Sequence, residues 1–103
     1  MLTYLKFGDR KKATLGIKRN NEEICLSEYH LDMRGQTFGV ANERQKRQRK
    51  ESIEIFFQKV KDKTEKLFQS SQTNNIVIIP ESWKSLINNF NFNIDEEHDL
   101  VYV

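Results

Sequence analysis

One stretch constrains the fold more than any other. Residues 33–69, MRGQTFGVANERQKRQRKESIEIFFQKVKDKTEKLFQ, read as a loop bearing glycine and glutamine that feeds a single long helix. From Ile53 onward the apolar residues fall at Ile53, Phe56, Phe57, Val60, Leu67 and Phe68, with Thr64 filling the gap. At about 100° per residue they share an arc of roughly 120°, the stripe of a helix laid on a core. Traced backward, the same arc holds Arg49, Lys46 and Asn42. The later turns therefore have a face to bury and the first turns do not. Those first turns are expected to project past the core, carrying Arg44, Lys46, Arg47, Arg49 and Lys50 with no acid among them. A helix end of that charge, fed by a loop of small residues, points to a phosphate-rich partner.

Strands are expected on both sides of this helix. Residues 2–7 form a first strand closed by Gly8-Asp9. Ala13, Leu15 and Ile17 then alternate with Thr14, Gly16 and Lys18, a period of two. Asn20-Asn21 supplies residues that tolerate the positive φ of a tight hairpin, and residues 24–31 return as a third strand. Gly16, in mid-strand, marks a bulge or a close backbone approach.

Residues 32–41 (DMRGQTFGVA) have no helical stripe and read as loop, within which Phe38 is either an exposed contact or a folded-back lid. Asn42 is the expected N-cap, and the helix runs to about Gln69. After a polar connector, residues 76–79 (IVII) are the continuous apolar run of a strand covered on both faces. Pro80 opens a short helix with Trp83, Leu86, Ile87 and Phe90 on one face. Phe92 and Ile94 alternate into a further strand, 95–99 is an acidic turn, and 100–103 is a terminal strand or tail. The expected fold is α/β: a single domain over residues 1–103, a mixed sheet of about five strands with two helices, in the order β-β-β-α-β-α-β found in ribonuclease-H-like folds.

Composition narrows the function classes. Net charge is only +2, so the basic character is local, and acids gather instead at Glu22-Glu23 and in 95–99. The one cysteine, Cys25, permits no intrachain disulfide and is expected to be a small buried residue between Ile24 and Leu26. The leading MLTYLKFGDRKK lacks the order of a signal peptide, and the longest unbroken aliphatic run is 76–79. A cytosolic protein with no membrane partner is expected. His30 and His98 fall in different elements, no zinc-ligand spacing and no G-x-S-x-G occur, and no cofactor is expected. A metal nuclease would need carboxylates converging from several elements. Asp9, Glu54 and Glu81 are candidates by type, but the first strand holds no acid. The run ANERQKR also matches the basic region of helix-loop-helix proteins, a reading set aside because strands flank the helix and no second helix of matching length follows.

The middle of the chain resembles a known family. Arg34-Gly35-Gln36-Thr37, the basic run ERQKRQRKE at 43–51, Lys59-Val60-Lys61-Asp62 through Leu67-Phe68, and the aliphatic 76–79 are similar to the middle domain of archaeal and eukaryotic class 1 translation release factors, of Pelota and of the bacterial and archaeal release-factor-like proteins. The resemblance spans roughly residues 8–92 and is specific over 34–68. In that family a strand hairpin, a basic loop with a Gly-Gly-Gln motif and an Arg/Lys-rich helix belong to a ribonuclease-H-like core. The loop enters the peptidyl transferase centre, where the glutamine backbone N–H helps to place water and stabilise developing charge. The resemblance implies an RNA, ribosome or tRNA partner contacted by Arg34, Arg44, Lys46, Arg47, Arg49 and Lys50, with Gly35 and Gln36 in the catalytic position. Arg34 stands where the family has its first glycine, which removes freedom to take positive φ. The departure puts peptidyl-tRNA hydrolysis in question and leaves the binding surface. The alternative class is a small protein-binding inhibitor (an immunity protein, antitoxin or phage-encoded factor), which a small domain with charge-segregated ends also fits.

Overall fold

The computed structural model describes residues 1–31, 43–71 and 74–103, with side chains for all of these except 43–46, 48 and 49. Strand β1 (Leu2–Gly8) turns through a short 3₁₀ segment, Asp9–Lys11, into β2 (Lys12–Arg19). The two-residue turn Asn20-Asn21, both at positive φ (49° and 68°), returns the chain as β3 (Glu22–His30). Helix α1 (Glu43–Ser70), β4 (Asn74–Ile79), α2 (Glu81–Asn89) and β5 (Asp99–Tyr102) follow. The five strands form one mixed sheet in the order β3-β2-β1-β4-β5. β1, β2 and β3 pair antiparallel, and β4 and β5 run parallel to β1. This is an α/β domain in the β-β-β-α-β-α-β order read from the pattern.

Both helices pack on the same face of the sheet. Along β1 the period of two sends Thr3, Leu5 and Phe7 to that face, and Ala13 and Leu15 stand opposite Phe7 and Leu5 in β2. Val77 and Ile79 of β4 continue the layer. The α1 stripe buries Ile53, Phe56, Phe57, Val60, Thr64 and Phe68 against it, with Leu67 half-buried. At the centre Trp83 of α2 lies 4.9 Å from the Phe7 ring and 6.0 Å from Phe56, and its Nε1–H donates to the Gly8 carbonyl at 2.8 Å. The indole thereby joins β1, α1 and α2 with its one polar atom satisfied.

Gly16 has the role its position suggests. The β2–β3 register shifts between Leu15 and Gly16, and the Tyr4 ring of β1 closes over the glycine. A Cβ there would lie 2.7 Å from the Tyr4 hydroxyl and overlap the Ile24 carbonyl.

Three expectations fail. Phe92 and Ile94 form no strand, and the fifth strand is Asp99–Tyr102. Asn91 takes a left-handed φ of 49°, the Asn91 N–H donates to the Asn88 carbonyl, and the Phe92 N–H donates to the Ile87 carbonyl. Those bonds are the Schellman cap of α2, so the backbone group a strand would need is already used. The Phe92 ring instead packs 5.1 Å from Phe57. Residues 76–79 are covered on one face only: Val77 and Ile79 are buried, whereas Ile76 and Ile78 remain partly exposed. Cys25 is exposed, because it faces the helix-free side of the sheet on the outermost strand, β3.

Candidate nucleic-acid interface

Helix α1 has 28 residues. At about 1.5 Å per residue its axis is roughly 42 Å long. The sheet is shorter than that, and buried α1 side chains begin at Ile53 among the described residues. Lys50 decides how the helix ends. It lies about 60° of helical rotation from Ile53, inside the arc of the stripe, yet it is exposed. On the arc that turns toward the sheet, burial is therefore present at Ile53 and absent at Lys50, one turn earlier. Arg47, Glu51 and Ser52 are exposed as well. Neither Arg47 nor Lys50 has an ion-pair partner among the described residues. Arg44, Lys46 and Arg49 belong to the same helical turns, but their side chains lie outside the described residues. The loop residues Arg34, Gly35, Gln36 and Phe38, and the cap at Asn42, also lie outside them.

The structure adds a group that sequence reasoning missed. The β1–β2 hairpin carries Arg10, Lys11 and Lys12 at the same end of the molecule as the start of α1. Lys12 pairs in register with His30, the last residue of β3, and His30 frames one hollow together with Ser52 and Ile55 of α1. The Leu31 N–H donates to the Lys11 carbonyl at 2.8 Å. The Lys11 ammonium sits 5.3 Å from the centre of the Trp83 ring, a cation–π contact. Lys12 pairs with Glu28 at 3.2 Å, and the His30 ring lies 3.8 Å from the same carboxylate. The run Arg10-Lys11-Lys12 is visible in the sequence, but only the antiparallel register sets it beside the end of β3, with Lys11 on the helix side and Arg10 and Lys12 lining a hollow on the helix-free face.

Acids collect at the other end. Glu96, Glu97 and Asp99 line a cleft with Asn74, Asn75 and His98, beside the N-terminal ends of β4 and β5. His98 Nδ1–H donates to the Glu96 carbonyl at 2.6 Å. His30 and His98 thus stand at opposite ends of the sheet. Asp9, Glu54 and Glu81 are each exposed. They form no metal-holding group, and none of His, Cys, Asp and Glu does so among the described residues. On the helix-free face, burial pushes the Tyr4 phenol above its ordinary range, with the charges of Glu23 and Cys25 adding to the effect. No described helix is long and apolar enough to cross a membrane.

Comparison with protein-family models and with curated proteins finds no match for this chain. The functional reading rests on the geometry and on the sequence pattern.

Proposed function

We propose that this chain is an RNA-binding factor of the translation apparatus, built like a release-factor middle domain, that grips sugar-phosphate backbone with the leading turns of α1. The observation that carries the reading is Lys50: a cation on the stripe's own arc that is nonetheless exposed, one turn from an exposed Arg47, neither with an ion-pair partner among the described residues. Cations so placed bind phosphates and release counterions, which gives affinity and register rather than sequence readout. Arg34 in place of the family's first glycine favours binding without peptidyl-tRNA hydrolysis.

A protein-binding inhibitor is the second reading. The observation in its favour is the β5 edge, where Leu100 and Tyr102 are 52% and 57% exposed.

Capture from lysate with the tagged chain, with and without ribonuclease, separates the two. The RNA reading expects captured material rich in ribosomal or transfer RNA, lost on ribonuclease treatment and on raising salt. Capture indifferent to ribonuclease and to salt overturns it.

A further inference from the structure

We propose that β5 is the contact strand of a two-fold dimer, its free edge pairing antiparallel with β5 of a second copy of this chain about an axis at Val101. The dimer does not depend on the RNA reading above, and it gives the β5 edge a second copy as occupant instead of a foreign protein. Three observations carry it.

The first is which backbone groups are free. The Val103 N–H donates to the Ile79 carbonyl, and the Val103 carbonyl accepts from the Glu81 N–H. Along a strand the side to which N–H and C=O point alternates from residue to residue. Asp99, Val101 and Val103 therefore face β4, and Leu100 and Tyr102 turn both groups outward. β5 has no other neighbour among the described strands. In an antiparallel pair, residues that stand opposite each other exchange both bonds. Setting Leu100 opposite Tyr102 of the second copy pairs every outward group of the two segments, and it places Val101 opposite itself.

The second is the side chains. Leu100 lies in register with Val77 and Tyr102 with Ile79, on the face that carries the helices, yet they are 52% and 57% exposed. Leu100 to Val103 is an unbroken apolar run, without the charges, prolines or bulges that keep edge strands single. In the proposed register each Leu100 lies against a Tyr102. The opposite edge differs. β3 sets Glu22, Glu23, Glu28 and His30 around Ile24 and Leu26, and its pairing with β2 is bulged. Growth of the sheet therefore stops at two copies, a closed isologous pair.

The third is charge. Asp95, Glu96, Glu97 and Asp99 crowd the start of β5. Parallel pairing would bring the two acidic ends together, whereas antiparallel pairing separates them. It also sets each beside the end of the other copy that carries Lys84. The Lys84 ammonium lies 4.9 Å from the centre of the Tyr102 ring and has no ion-pair partner among the described residues. Glu81 shares that end, so Lys84 favours the orientation rather than supplying the affinity. One short strand makes an interface at the small end of the specific range, so dissociation at micromolar concentrations is expected.

The test is sedimentation velocity on protein freed of nucleic acid, at loadings from about 1 to 500 μM, which bracket a weak contact. A monomer–dimer equilibrium is expected. Val101→Lys and Val101→Glu each set like charges across the axis and should weaken self-association about tenfold or more. An equimolar mixture of the two should recover at least the wild-type level. Leu100→Pro removes one outward N–H and no bond to β4, and should abolish the dimer. Ile24→Lys, on the β3 edge, should change nothing. Circular dichroism of the Val101 variants should match the wild type, since Val101 is already 38% exposed. A monomer at every concentration overturns the proposal, as does a dimer indifferent to the Val101 variants or to Leu100→Pro. If both Val101 variants weaken the dimer and the mixture does not recover it, Val101 does not face itself and the two-fold register is wrong. If Ile24→Lys weakens it equally, the effect is one of general charge and β5 is not the contact.

Discussion

At the scale of single residues, the close fit is at Gly16. Its missing side chain lets the Tyr4 ring of β1 and the β3 backbone at Ile24 close over β2 at the bulge. Gly16→Ala places a methyl 2.7 Å from the Tyr4 hydroxyl and against a carbonyl that cannot move without the strand. The expected cost is about 1–3 kcal/mol of stability, the range for overpacking a closed site. Urea unfolding checks it: the midpoint should fall with an unchanged slope. A wild-type midpoint would mean that the tyrosine swings away freely. A glycine inside an alternating strand was enough to mark this position. Cys25 was not legible in the same way. An apolar neighbour on either side suggests burial, but exposure depends on whether anything covers the face that Cys25 points to, and among the described residues both helices pack on the other face.

At the scale of elements, α1 is where the pattern said most. Its stripe is buried at Ile53, Phe56, Phe57, Val60, Thr64 and Phe68 and half-buried at Leu67, and among the described residues burial begins just after the basic run stops. If α1 binds RNA as proposed, Arg47→Glu combined with Arg49→Glu is expected to cost RNA or ribosome binding tenfold or more, since it would remove two phosphate contacts and add two repulsions. Circular dichroism should be unchanged, because among the described residues the packed stripe begins at Ile53. Binding indifferent to this pair would count against α1 as the contact. The misread element is the segment at Phe92 and Ile94. Alternation over three residues is shared by a strand and by a chain leaving a helix cap. The Asn91 cap decided between them, and its bonds form only once α2 is in place.

At the scale of the whole molecule, Trp83 ties the layers together. It is 1% exposed, touches Phe7 and Phe56, and donates to Gly8 of β1. Trp83→Ala is expected to cost about 3–5 kcal/mol, a large share of the ~5–15 kcal/mol that holds a domain folded. Trp83→Phe keeps most of the volume but leaves the Gly8 carbonyl without its donor, and should cost about 1–3 kcal/mol. Thermal unfolding followed by far-ultraviolet circular dichroism ranks the two. Equal, small losses would show that the indole does not join the helices to the sheet. By itself the sequence determined the elements that rest on local periodicity: the three-stranded meander, the long helix and its polarity, the aliphatic strand and the short helix after Pro80. It also determined where cations crowd along the chain. Only the tertiary structure decided which face of β4 stays open, that β3 and β5 are the sheet's edges among the described strands, and that Arg10 to Lys12 stand beside the end of β3 with Lys11 over Trp83. Periodicity is set by neighbours three or four positions apart. Edges and poles are set by strand order, through contacts between residues dozens of positions apart, as at Gly8 and Trp83.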